Sequence, residues 1–265
     1  MAVLTLTTHS RELKMNTLLT AIIPDSSNMD KPLSERKVLW LLHGLSDNAT
    51  AWLRWTRVEN YAQRYGIVVI MPSCDRSFYF DNVNGMNYFT YLTEELPEYL
   101  EKVFALSRKK EDNFIAGLSM GGYGAVKAAL THPDRYFACG SFSGVLAFEI
   151  FAHSDISEFE KEFPFMTEDF PSLLASENNP PNLLSPEKDV KLYVSCGLQD
   201  YLLPATKIFE ERARERNVKG KFVYRDGYHD WDFWEVEIKN FLSYLFELFT
   251  GIIFLEKNNT SREVF

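Results

Sequence analysis

The stretch Gly117-Leu118-Ser119-Met120-Gly121-Gly122 constrains this chain more than any other. An apolar run, Asn113-Phe114-Ile115-Ala116, leads into it, and a run rich in small residues, Tyr123-Gly124-Ala125-Val126-Lys127-Ala128-Ala129-Leu130, leads out. The pattern reads as a strand, a sharp turn and a helix, with Ser119 at the tip. To point its hydroxyl away from a sheet, Ser119 must hold a strained backbone, expected at φ > 0. Positions two residues to either side are then pressed against neighbouring backbone, so only glycine-sized residues fit at 117 and 121. The short pattern is weak alone; the strand before it and the helix after it give it weight. The plain alternative is a glycine-rich turn carrying an idle serine.

The rest of the chain alternates strands and helices. Residues 38–42 and 67–71 are continuous apolar runs, expected of strands buried on both faces. Residues 3–8 alternate as an edge strand does, and 17–23 form a second strand stopped by Pro24. Further strands are expected at 137–142, 191–196 and 221–224. Helices are expected at 50–65, 89–104, 205–216 and 231–249, with Pro97 kinking the second or marking its true start. Residues 144–188 lack periodicity and hold Pro164, Pro171, Pro180, Pro181 and Pro186; they read as an insertion covering the site. Residues 241–255 are apolar but carry Ser243, Glu247, Thr250 and Gly251, which suits a packed helix and a short strand. The tail at 251–265 carries no assignment. The alternation predicts an α/β fold: one domain over 1–265 with a mostly parallel sheet and helices on both faces.

Composition excludes several classes of function. The net charge of -9 argues against non-specific binding to nucleic acid or anionic membrane. No window approaches the run of about 18 apolar residues that a membrane span needs. Residues 1–6 lack a basic region followed by a long apolar run, so no signal peptide is expected there. Cys74, Cys139 and Cys196 are too few and scattered for a disulfide framework, and no pair has metal-ligand spacing. A reducing, cytoplasmic location fits, with Cys139 and Cys196 as buried thiols. No metal and no cofactor is expected.

A serine hydroxyl needs a base within hydrogen-bond reach, and the base needs an orienting partner. In the α/β-hydrolase fold, whose G-x-S-x-G nucleophile elbow matches 117–121, the partners follow in the order Ser, Asp or Glu, His. Asp200 stands directly after a strand in Gly197-Leu198-Gln199-Asp200, and His229 follows the last strand in Gly227-Tyr228-His229-Asp230. His43 precedes the elbow, His9 and His132 are expected at the surface, and His153 falls in the insertion. Asp226, Asp230 and Asp232 rival Asp200, but Asp230 suits a helix N-cap better. An oxyanion needs two backbone N–H donors. Met120, after the nucleophile, supplies one, and Leu45, in the strand-end loop His43-Gly44-Leu45-Ser46, the other. Gly44 is expected to let that backbone turn. His43 is read as shaping the loop and not as a metal ligand. Trp52, Tyr123 and Trp231 are expected to line the substrate pocket. Trp52, Trp55, Trp231, Phe233 and Trp234 could stack on sugar rings, though core packing is the plainer reading for most of them.

His43-Gly44-Leu45, the 117–124 stretch, 196–200 and 227–234 together resemble the esterase D family. The likeness runs over about 1–245 and is greatest to the tributyrin esterases of lactic acid bacteria and streptococci; residues 87–97 look like that subgroup too. S-formylglutathione hydrolases and some carbohydrate acyl esterases are more distant relatives. The resemblance implies an α/β-hydrolase without a large lid. Ser119, Asp200 and His229 would form the triad and Leu45 and Met120 the oxyanion hole. The substrate would be a small-molecule ester of a short acyl chain, and a homo-oligomer is compatible. Acetylated or feruloylated carbohydrate and S-formylglutathione stay open as substrates. A binding module that has lost catalysis is the reading from another class.

Overall fold

A computed structural model describes residues 1–25, 31–83, 85–152, 167 and 169–260. Eight strands form one sheet: β1 (Ala2–Ser10), β2 (Met15–Ile23), β3 (Val38–Leu42), β4 (Val68–Pro72), β5 (Asn113–Leu118), β6 (Ala138–Phe142), β7 (Lys191–Gly197) and β8 (Gly220–Arg225). Their order is β1-β2-β4-β3-β5-β6-β7-β8. β1 and β2 make an antiparallel hairpin, β2 runs antiparallel to β4, and every other pairing is parallel. The apolar runs occupy the centre: every residue of β3, β4, β5 and β6 is buried. Such strands bury both faces, which requires helices above and below.

The helices supply those layers. α1 (Ala51–Trp55) and α2 (Val58–Tyr65) connect β3 to β4. The expected single helix at 50–65 is thus broken at Thr56-Arg57. α3 (Tyr88–Thr90) passes through one π turn (Tyr91–Glu95) into α4 (Leu96–Phe104). The wide turn ends where Pro97 enters, because a proline can neither donate to the ladder nor fit under the preceding carbonyl. α5 (Met120–Thr131) follows β5, α6 (Phe170–Ala175) lies in the 144–188 block, and α7 (Leu203–Glu215) joins β7 to β8. α8 runs from Trp231 to Thr260, so the backbone stays helical where a short strand was expected.

Two apolar clusters sandwich the sheet. One joins Leu100, Val126, Leu130 and Phe209, from α4, α5 and α7. The other joins Trp52, Val58 and Ala62 of α1 and α2 with Phe233, Ile238, Phe241 and Leu245 of α8. From β3 the chain connects to β4 on one side, and from β5 it connects to β6 on the other. The crevice between the carboxyl ends of β3 and β5 is therefore a topological switch point, where open α/β sheets place their sites. The loops after β3 and β5 carry Leu45 and Ser119 to that crevice.

Candidate active site

Ser119 sits between β5 and α5 at φ 51° and ψ -118°, the strained turn that the sequence requires. A Cβ on Gly117 would stand 2.5 Å from the carbonyl of Gly121, and one on Gly121 would stand 2.5 Å from the oxygen of Leu42 and 2.7 Å from that of His43. Both glycines thus serve close backbone approach. The N–H of Ser119 donates to the Phe142 carbonyl at 2.9 Å, which ties the turn to β6.

Three side chains distant in sequence meet there. Ser119 Oγ lies 3.0 Å from His229 Nε2, and His229 Nδ1 lies 3.1 and 3.0 Å from the two oxygens of Asp200. A carboxylate can only accept, so Nδ1 carries the proton and Nε2 is left to accept from the hydroxyl. Asp200 is buried, and its Oδ1 also accepts the N–H of Leu202 at 2.8 Å. Burial acts to raise this carboxyl, but the hydrogen bonds that it accepts, those of His229 and the Leu202 N–H among them, together hold it below the ordinary aspartate value. The loops carrying Asp200 and His229 are stitched by Gln199, whose N–H donates to the Gly227 carbonyl (3.1 Å) and whose Oε1 accepts the Gly227 N–H (2.8 Å). Tyr201 and Trp234 flank the imidazole, with centroids at 4.6 and 4.9 Å. Asp230 caps α8 by accepting the N–H of Phe233 at 3.0 Å, the role its sequence position suggested.

The loop after β3 is held from inside. His43 Nε2 accepts the N–H of Cys74 at 2.9 Å, so in the neutral ring Nδ1 donates, and it reaches the Gly44 oxygen at 2.7 Å. Burial drives this imidazole down to about 4, which keeps it neutral. In a trans peptide the C=O and N–H point opposite ways. Fixing the Gly44 oxygen therefore turns the N–H of Leu45 away from His43. Gly44 makes its turn without a left-handed backbone, and a Cβ there would meet Leu118 Cδ1 at 2.6 Å. Met120 opens α5, so its N–H belongs to the first turn and has no partner within the helix. The positive end of the helix dipole lies there too.

A cleft of about 590 Å³ opens above Ser119 and His229, and Leu45 and Trp231 line it. Trp52 and Tyr123 do not. Trp52 is buried beneath the wall, its Nε1 donating to the Leu42 carbonyl at 3.0 Å and its ring meeting Trp231 edge-on at 5.2 Å. The stable place for an indole is one where its N–H finds a buried acceptor, and the end of β3 offers one. Tyr123 points into the first core, against Phe80 and Phe148, and its hydroxyl donates to the Asn178 carbonyl at 2.9 Å. The wall also includes Trp55, Phe78, Tyr201 and Trp234, the first stacked on Trp231 at 6.2 Å. Phe78 follows β4 at its carboxyl end, a placement that could have flagged it. The rim charges balance, Arg54 and Arg76 against Asp47 and Asp230. Val145 and Phe151 bring the start of the 144–188 block to the cleft, while residues 153–166 and 168, with His153, lie outside the described residues. His9 is exposed, whereas His132 is half-buried against Phe89. Cys74, Cys139 and Cys196 are buried free thiols. Among the described residues no group of His, Cys, Asp and Glu could hold a metal, and no helix is long and apolar enough to cross a membrane.

Known proteins share this arrangement of chain. The family model described as "Putative esterase" matches residues 10–245. An acetyl esterase of Caldicellulosiruptor saccharolyticus is 29% identical over 91% of this chain and 96% of its own. Among solved structures, the fluorophosphonate-binding serine hydrolase FphF of Staphylococcus aureus superposes with a TM-score of 0.83 at 33% identity, covering 92% of this chain and 98% of that one. The S-formylglutathione hydrolase FrmB of the same organism gives 0.78 at 32% identity, with the same two coverages. The matched span takes in the elbow, the strand-end loops and all eight strands but β1. On that ground the chain belongs to the esterase family, as a serine-type carboxylic ester hydrolase of the α/β-hydrolase fold.

Proposed function

We propose that this protein hydrolyses esters of short acyl chains through an acyl-enzyme on Ser119, with His229 as base and Asp200 as the group orienting it. The observation that carries the reading is the unbroken chain from Ser119 Oγ through His229 to Asp200, with both contacts at about 3.0 Å. As Ser119 Oγ attacks the carbonyl carbon, its proton passes to His229 Nε2, and the buried carboxylate of Asp200 stabilises the imidazolium. The carbonyl oxygen becomes an oxyanion facing the N–H groups of Leu45 and Met120. Collapse expels the alcohol, which takes the proton from Nε2. Water then repeats the sequence to free the acid. Removal of Ser119 by Ser119→Ala is expected to abolish p-nitrophenyl acetate hydrolysis, a loss of about 10⁶-fold for triads of this kind, with the fold intact. A variant retaining most of its activity sinks the assignment.

Short acyl chains of the tributyrin-esterase type are the finer reading, carried by the esterase D resemblance. A p-nitrophenyl ester series from acetate to palmitate is expected to peak at acyl groups of two to four carbons. One observation favours a second reading. The exposed face of Trp55, stacked on Trp231 at the cleft, suits a ring in the alcohol moiety, as in acetylated carbohydrate. Rates on acetylated oligosaccharide set against butyrate esters separate the two. A cytoplasmic location agrees with the three reduced thiols.

A further inference from the structure

The segment after β4 concentrates backbone strain. Asp75, Phe78 and Tyr79 hold φ of 44, 48 and 53°, a region that side-chain-bearing residues seldom enter. Strain of this kind persists only where surrounding contacts over-determine it. Here the contacts converge on Tyr79. Its side chain is fully buried, and its hydroxyl donates to the His43 carbonyl at 3.0 Å. Its N–H donates to Ser77 Oγ at 3.0 Å, and its carbonyl accepts from Lys127 Nζ at 3.3 Å. Lys127 is itself buried on α5, with its Nζ 4.2 Å from the ring centres of both Phe80 and Phe89. Room for the Tyr79 ring exists because residue 124 is glycine: a Cβ there would stand 2.5 Å from Tyr79 Cδ2.

We infer that Tyr79 is a positioning residue for the oxyanion hole, its hydroxyl fixing the His43–Gly44 peptide so that the next N–H, that of Leu45, faces the reacting carbonyl. The inference rests on the roles given above to Ser119, Leu45 and Met120. Two successive peptide planes need holding. The Gly44–Leu45 plane is held by His43 Nδ1 on the Gly44 oxygen, and the His43–Gly44 plane by Tyr79 on the His43 oxygen. Between them stands glycine, whose missing Cβ leaves rotation about its own bonds weakly opposed. A Cβ at 44 would crowd Leu118 Cδ1 at 2.6 Å, and the restraint on the peptide before the glycine comes from outside the loop. The Tyr79 hydroxyl supplies it from a strained segment whose residues 77–80 are buried.

Tyr79→Phe removes the hydroxyl and keeps the ring. With p-nitrophenyl acetate, kcat is expected to fall about tenfold, as a misplacement of roughly half an ångström would cause, with KM within about twofold of wild type. Affinity for phenylboronic acid, whose tetrahedral adduct with Ser119 puts an oxygen in the hole, should fall by the same factor as kcat/KM. Gly124→Ala presses a Cβ on the same ring and should reproduce both losses. A hydroxyl that merely satisfies a buried carbonyl would lower the melting temperature alone. Unchanged kcat and boronate affinity in folded Tyr79→Phe therefore overturn the inference, whatever the change in melting temperature. Should that variant not fold, the same two readings on Gly124→Ala decide. Ser119→Ala run alongside separates the levels: activity remaining in it refutes the catalytic reading. A dead Ser119→Ala beside a fully active Tyr79→Phe refutes only the role of Tyr79.

Discussion

Gly121→Ala tests whether the elbow glycines exist for backbone contact. The new Cβ would start 2.5 Å from the Leu42 oxygen and 2.7 Å from the His43 oxygen, both main-chain atoms with no rotamer to escape into. Ordinary carbon–oxygen contact is about 3.3 Å, so the end of β3 and the start of α5 must part by roughly 0.8 Å. Overpacking of that order costs about 1–3 kcal/mol. Alanine returns about 1 kcal/mol through helix propensity, leaving a net loss of about 0–2 kcal/mol. For a domain of this size that is a melting temperature lower by up to about 8 °C. The catalytic loss should be larger in proportion. The displaced atoms belong to the loop carrying Leu45 and the turn carrying Met120, and a misplacement near 1 Å costs about 100-fold in rate. We expect kcat for p-nitrophenyl acetate to fall 30- to 100-fold, by the same scaling. Gly220→Ala is the control: its Cβ meets a Phe222 ring carbon at 3.1 Å at the start of edge strand β8, and kcat should stay at the wild-type value. Differential scanning fluorimetry and initial rates on the folded protein read both quantities. A Gly121→Ala variant with wild-type kcat and a raised melting temperature would show helix propensity winning over contact, and the account of the elbow would be wrong.

Two further outcomes follow from other parts of the site. Burial pushes the Lys127 amine down to about 7, with the charge of Asp81 opposing, so above that pH the unfolded chain binds a proton that the folded chain has lost. The stability of wild type relative to Lys127→Met should therefore rise between pH 7 and 9, by up to about 1.4 kcal/mol per pH unit; a flat difference in denaturant titrations refutes this. Gln199→Ala removes the acceptor of the Gly227 N–H, a bond worth about 1 kcal/mol. We expect kcat about fivefold lower with KM little changed, and an unaltered kcat would show that the His229 loop holds its place without the stitch.

The local grammar of the chain was legible because it depends on neighbours in sequence. Apolar runs at 38–42, 67–71 and 113–116 became buried central strands, since no other element buries so short a run on both faces. The spacing of Gly117, Ser119 and Gly121 foretold a strained turn, since the crowding arises within a few residues. Chain order together with position at strand ends singles out Ser119, Asp200 and His229, and the sheet order brings those ends together so that the three side chains meet. What lay beyond reach was the direction of each large side chain. Trp52 and Trp231 are both tryptophans in helices beside the cleft, yet only one lines it, because the Leu42 carbonyl captures the other's indole N–H. Nothing in the spacing of Tyr79, Gly124, Lys127 and His43 announces that a phenol packed against Gly124 donates to the His43 carbonyl while Lys127 holds the same residue's main chain. Sequence periodicity reports which face of an element is apolar; which partner fills a given space is decided only when elements far apart in the chain compete for it in the packed interior.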